Sequence, residues 1–151
     1  MNTTTFKHIA HCWSALIAEE LFRLGVENIC IAPGSRSTPL VMAFVEHKGL
    51  TCHSHFDERS LGFYALGIAK SSEKPVVILT TSGSAVANLL PAIVEAFHSN
   101  IPLLILSSDR SYGQHYHGEN QTISQQFIFG QFVKLFQNIP PSSTTILPEW
   151  F

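Results

Sequence analysis

Three charged residues, Glu58, Arg36 and Arg110, have types and settings that suit chemistry. Glu58 lies in His55-Phe56-Asp57-Glu58-Arg59-Ser60-Leu61-Gly62, where an apolar strand-like run gives way to an apolar helix-like one. A carboxylate there could exchange a proton with a ligand. It could equally complement the positive end of a helix, as Glu in a first turn does. Arg36 sits in Ala32-Pro33-Gly34-Ser35-Arg36-Ser37-Thr38-Pro39. The stretch Ser35-Arg36-Ser37-Thr38 offers a planar guanidinium fork with hydroxyls beside it, which suits a carboxylate ligand. A lone loop arginine is as readily a solvated charge or half of an ion pair. Asp109-Arg110 repeats the arrangement after another apolar run. Two arginines at the ends of two strands point to an anionic ligand. A third loop, Thr80-Thr81-Ser82-Gly83-Ser84, is either a plain turn or one that presents backbone N–H groups to an anion. Ser82 and Ser84 read as helix caps.

Other chemistries leave weaker marks. His53, His55 and Asp57 alternate, so on a strand they would share one face and could hold a metal ion, with His115 and His117 completing the shell. A small metal-dependent hydrolase would follow from that set. Neither glycine-containing loop matches G-x-G-x-x-G or G-x-x-x-x-G-K-[ST]. The G-x-S-x-G elbow of a serine nucleophile is missing.

These loops need elements to hold them. Phe6 to Leu24 has helical periodicity, with Ile9, Trp13, Leu16, Ile17, Leu21 and Leu24 making one apolar stripe and Gly25 ending it. Strands are expected at Asn28 to Ala32, Leu50 to His55, Pro75 to Thr81 and Pro102 to Ser107. Helices are expected at Pro39 to His47, Glu58 to Ser71 and Ser84 to His98. Gly62 and Gly67 weaken the second of these, so close packing is the expected compensation. Gln121 to Phe132 reads as helical and Val133 to Ile139 as a strand. This alternation gives an α/β fold, a mostly parallel central sheet flanked by helices on both faces. The domain is expected to span residues 1–139, with 140–151 a linker or truncated tail.

The 151 residues suit one domain, and a net charge of −2 gives no basic footprint for nucleic acid. Charged residues make up 13%, against about 25% in an ordinary soluble domain. A chain this poor in charge is expected to hide part of its surface against a partner or another domain. Cys12, Cys30 and Cys52 are odd in number and form no C-x-x-C, so free thiols in a reducing cytoplasm are expected. Met1 to Ile9 lacks the apolar core of a signal peptide, and no run approaches the ~18 residues of a membrane span.

The three loops, taken with Thr81-Ser82-Gly83-Ser84-Ala85-Val86-Ala87-Asn88-Leu89-Leu90-Pro91-Ala92, resemble the N-terminal pyrimidine-binding domain of thiamine-diphosphate enzymes. Among those enzymes the match is to the 2-succinyl-5-enolpyruvyl-6-hydroxy-3-cyclohexene-1-carboxylate synthases of menaquinone biosynthesis. Acetolactate synthases usually carry Thr-Ser-Gly-Pro-Gly in the third loop, whereas Ser84-Ala85 follows Gly83 here. The pairs Asp109-Arg110 and Asn120-Gln121 also agree, and the likeness runs from about residue 8 to about residue 135.

The resemblance implies thiamine diphosphate and Mg2+ as cofactors, with Glu58 as the catalytic carboxylate that shares a proton with the aminopyrimidine ring. Pro33, Thr81 and Asn88 would pack around that ring. Ser35, Arg36, Arg110 and Gln121 would bind the substrates, 2-oxoglutarate and isochorismate. Decarboxylation of the first and addition of its succinyl carbanion equivalent to the second is the implied reaction, in a cytoplasmic homodimer or tetramer. There are departures too. Ser111-Tyr112-Gly113 follows Arg110 where the family usually has proline, and no Gly-Asp-Gly-like diphosphate motif is present. The magnesium site is therefore expected on an absent C-terminal domain, and this portion alone is expected to be inactive. A non-catalytic dimerisation or interaction domain is the alternative.

Overall fold

Four short apolar runs pair side by side in parallel, and their pairing sets the rest of the architecture. The computed structural model describes residues 8–110 and 120–142. The strands are β1 (Asn28–Ala32), β2 (Thr51–Ser54), β3 (Val76–Thr80) and β4 (Leu103–Ser107), in the spatial order β2-β1-β3-β4. β1 pairs with β2 in the register Cys30 to His53, and with β3 in the register Cys30 to Ile78. β3 pairs with β4 in the register Ile78 to Ile105. β3 is buried along its whole length, as an unbroken Val-Val-Ile-Leu-Thr run in a central parallel strand should be.

Helices cover both faces. On one side lie α1 (Ile9–Arg23) and α2 (Thr38–Glu46), whose Ala18 and Phe44 pack on Ile29, Ile31, Val77 and Leu79. On the other lie α3 (Glu58–Ser72) and α5 (Leu90–Ser99), whose Leu61, Ala65, Ala69 and Ile93 pack on Cys30, Val76 and Ile78. Residues 61, 65 and 69 recur every four, so one stripe of α3 meets the sheet. Gly62 lets α5 approach, since a Cβ there would lie 2.8 Å from the Ala92 Cβ. Gly67 is exposed and faces open space, so the expected close packing holds for Gly62 alone.

Several expectations change. The helix expected over Ser84 to His98 divides into α4 (Ser84–Ala87) and α5, with Pro91 in the first turn of the second. Pro lacks the N–H that an uninterrupted helix would use at that position. The expected α1 stripe holds in part: Ile17 and Leu21 pack on the core, but the face is centred on the buried Ser14 and Ala18, and Leu16 and Leu24 are exposed. Small residues there allow close approach to α2. Gly25 does end α1, at φ +89°. The helix expected over Gln121 to Phe132 and the strand over Val133 to Ile139 do not form. Gln121 and Phe127 take left-handed φ values of 52° and 56°, and only Gly130–Phe132 makes a 3-10 turn. Phe129, Phe132 and Val133 pack irregularly against the α3/α5 core.

Two measurements test this packing. Gly62→Val should cost about 1–3 kcal/mol by overpacking, while Gly67→Ala should add about 0.5–1 kcal/mol through helix propensity. Urea midpoints that move both variants the same way would contradict the α3/α5 contact. Burial, with Cys52 nearby, pushes the Cys30 thiol up to about 12. Below the ordinary value of 9.0 both folded and unfolded chains keep that proton. Above it only the unfolded chain releases the proton, so stability should fall as pH rises from about 9 towards about 12, by up to about 1.4 kcal/mol per pH unit. Cys30→Ala should flatten that slope relative to the parent chain.

Candidate functional site

The strand order reverses between β1 and β3: from β1 the chain crosses to β2 on one side, then returns to β3 on the other. Ligands of open parallel sheets bind in the crevice outside the carboxyl ends of the strands at such a point. An open cleft of about 840 Å³ lies there. Each strand sends residues to it. The loop after β1 brings Pro33, Gly34, Ser35 and Arg36, and the turn after β2 brings Glu58. Thr81, Ser84, Ala85 and Asn88 follow β3, and Arg110 follows β4, facing Asn120 and Gln121. All eight residues singled out from the sequence for catalysis or binding line this one cleft.

Local chemistry explains each placement. After β2, Asp57 caps α3 by accepting from the Ser60 N–H at 2.7 Å, a bond that holds its carboxyl below the usual carboxylate range. With Asp57 serving as the cap, Glu58 begins the helix half-buried and turned to the cleft, where Asn88 Nδ2 donates to its Oε2 at 3.4 Å. In the β1 loop the fully buried Ser37 donates its hydroxyl to Gly34 O at 3.0 Å and accepts from Gly34 N at 3.1 Å. Thr38 Oγ1 donates to Ser35 O at 2.8 Å. The expected set of free hydroxyls therefore reduces to Ser35, and the Ser37 and Thr38 hydroxyls brace the loop instead. A side chain at Gly34 would collide with Thr81, so glycine keeps the two loops in contact.

Ser82 and Ser84 do not cap α4: its cap is Gly83, with no side-chain bond. The Gly83 N–H donates to Gln125 Oε1 at 2.5 Å, so it serves the fold and is not open to an anion. Gly83 has φ +85°, and the Gln121 carbonyl occupies the space a Cβ would need. Gln121 Nε2 donates to Ser82 O at 2.9 Å, and Arg110 Nη2 donates to Asn120 O at 2.8 Å. Arg110 is buried, and burial together with the nearby Arg36 pushes its pKa below the ordinary guanidinium value. Two cations thus face one cleft, and an anion between them would relieve both burial and repulsion.

The metal set does not assemble. β2 ends at Ser54, so His53, His55 and Asp57 do not share a strand face. His53 Nε2 pairs with Asn28 Oδ1 at 3.0 Å, the His55 ring lies 4.5 Å from the Tyr64 ring, and Asp57 caps its helix. Among the described residues no group of three His, Cys, Asp or Glu could hold a metal ion. His115 and His117 lie outside the described residues. Sequence reasoning missed Gln125; its spacing of four from Gln121 was the available signal.

An aminopyrimidine presents ring nitrogens and an amino group on a flat ring. The half-buried Glu58 carboxylate braced by Asn88, with Pro33, Ala85 and Thr81 around it, suits such a ring. Comparisons agree. The family described as "Thiamine pyrophosphate enzyme, N-terminal TPP binding domain" matches residues 13–128. The 2-succinyl-5-enolpyruvyl-6-hydroxy-3-cyclohexene-1-carboxylate synthase of Photobacterium profundum is 54% identical over 138 residues, 91% of this chain and 24% of the relative. The synthase of the same name from Shewanella halifaxensis is 53% identical over 149 residues, 99% of this chain and 26% of the relative. The chain thus spans about a quarter of the length of these curated relatives. With the loops, the sheet order and the matched span in agreement, the chain belongs to the thiamine pyrophosphate enzyme family, as its N-terminal TPP-binding domain.

Proposed function

We propose that this chain is the pyrimidine-binding portion of a thiamine-diphosphate-dependent synthase acting on 2-oxoglutarate and isochorismate in menaquinone biosynthesis. The observation that carries it is the meeting of Glu58 with Arg36 and Arg110 in one cleft at the strand-order reversal. When bound, thiamine diphosphate supplies a thiazolium carbon acid and an electron sink for loss of carbon dioxide from a 2-oxo acid. The chain's own residues position and polarise. Glu58 holds a proton against a pyrimidine ring nitrogen. Asn88 engages Oε2, which leaves Oε1 as the proton-exchanging atom. Pro33 and Thr81 pack around the ring.

Both substrates are carboxylates. Arg36 and Arg110 bind them, with Ser35 and Gln121 as hydrogen-bonding neighbours in the same cleft. The Mg2+ that would accompany the diphosphate lacks a ligand set among the described residues, so this reading assigns it to chain beyond the present domain. A homodimer or tetramer in the cytoplasm is part of the proposal. Fully exposed Phe56, with Phe63 and Tyr64 half-exposed near the start of α3, supports a covered surface beside Glu58. Free cysteines support a reducing compartment. Among the described residues no helix is long and apolar enough to cross a membrane.

Two outcomes are expected. In a protein joining this chain to the remaining three quarters of the Photobacterium relative, Glu58→Gln should lower turnover about a hundredfold or more, the scale of acid–base catalysis. Near-normal turnover would reduce Glu58 to a helix-start charge. The 151-residue chain alone, supplied with thiamine diphosphate and Mg2+, should release no carbon dioxide from 2-oxoglutarate above background. Release at the rate of the joined protein would remove the need for a second domain.

A further inference from the structure

Among the described residues, those from Asn120 to Phe129 form no helix or strand that could hold Asn120 and Gln121 in the cleft. Their position must come from specific contacts, and these form a closed ring. Arg110 Nη2 reaches Asn120 O, and Gln121 Nε2 reaches Ser82 O. The Gly83 N–H reaches Gln125 Oε1 at 2.5 Å, and Gln125 Nε2 donates to Ser108 O at 3.0 Å, two residues before Arg110. Arg110 and Gln121 face the cleft, whereas Gln125 does not line it and is only 7% exposed.

We propose that Gln125 is a positioning residue: its buried amide ties the turn after β3 to the end of β4 and thereby sets where Arg110 and Gln121 stand. Both ends of the amide are assigned by their partners. A backbone N–H can only donate to Oε1, and a carbonyl can only accept from Nε2. No other side chain among the described residues shows bonds to both loops. Gln121 needs such support. Its backbone is left-handed at φ 52°, and its carbonyl enters the space left by the missing Gly83 side chain. A residue in that conformation stays there only when its surroundings over-determine it. Glu58 is independent of the ring, since α3 is anchored by the Asp57 cap and the Leu61–Ala65–Ala69 stripe. Gln125 therefore acts chiefly on the arginine side of the cleft, while Glu58 keeps its own anchorage.

The choice of assay substrates rests on the function proposed above; the backbone measurement does not. In the joined full-length protein, Gln125→Met keeps the side-chain length and removes both bonds. Hydrogen–deuterium exchange of peptides covering residues 81–86 should accelerate about tenfold or more, as expected when a buried bond is lost. KM for 2-oxoglutarate and isochorismate should rise about tenfold to a hundredfold. The dissociation constant for thiamine diphosphate should rise less than KM does, through Thr81 beside the loosened turn, while kcat should stay within about threefold. Gln125→Glu retains the acceptor for the Gly83 N–H and loses the donor to Ser108. It should keep the slow exchange at 81–86 yet still raise KM, and it serves as the readable variant if Gln125→Met does not fold. Unchanged exchange with unchanged KM overturns the proposal. So does a parallel fall in kcat, cofactor affinity and melting temperature, which would mark a general structural role. Accelerated exchange in a protein whose parent form turns over neither substrate upholds the positioning role and overturns the proposed reaction instead.

Discussion

Parallel pairing is the constraint from which the site follows. Every strand of a parallel sheet delivers its carboxyl end to the same edge, so loops distant in sequence become neighbours once the register is set. β1, β3 and β4 are locked by the pairs Cys30 to Ile78 and Ile78 to Ile105. That register brings Arg36 and Arg110, 74 positions apart by number, to one cleft. The reversal of strand order between β1 and β3 opens the crevice there, and Glu58 enters it from the β2 side. A slip by one residue at β3 would turn Val77 and Leu79 towards the wrong helix layer, so the core that forbids slippage also fixes the site.

The parts legible in the sequence share a physical reason. A strand buried on both faces needs an unbroken apolar run, and Val76–Thr80 supplies one; Leu103–Ser107 carries a similar run but forms an edge strand that stays partly exposed. Of the eight residues that reach one cleft, local loop chemistry marked Glu58, Ser35, Arg36 and Arg110, while the resemblance implied Pro33, Thr81, Asn88 and Gln121. What failed was periodicity without packing. The run from Phe127 to Phe136 is rich in aromatic and aliphatic residues, yet Phe127 and Gly130 take positive φ values that break a continuous α-helix. Its anchors, Phe129, Phe132 and Val133, are held by the tertiary core, and no local pattern could announce that. The α1 stripe held only in part for a related reason. Ile17 and Leu21 pack on the core, while close packing centres the buried face on Ser14 and Ala18 and leaves Leu16 and Leu24 exposed.

The two sides of the cleft are built on different principles. On the glutamate side, regular structure does the holding: a capped helix, a stripe in the core, and the Gly62 contact that seats α3 against α5. On the arginine side, irregular backbone is held by side-chain amides and missing side chains. Gly34 admits Thr81, Gly83 admits Gln121, and Gln125 joins two loops. The first kind of wall is stiff because it shares the cooperativity of the whole domain. The second is only as stiff as a few hydrogen bonds, and so is the easier one for a change of substrate to reshape.

Charge completes the division. Burial, with Arg36 nearby, pushes the Arg110 guanidinium below its ordinary value, and a ligand of opposite charge in the cleft would add a favourable charge contact to it. Glu58 poses the complementary problem. A carboxylate that must share a proton with a weak ring base works best away from water, yet Glu58 is only half-buried in an open cleft. Phe56, Phe63 and Tyr64 are exposed along the turn before α3 and its first half, the helix that Glu58 begins. In the proposed enzyme, a surface covering these exposed aromatics would help to dry Glu58.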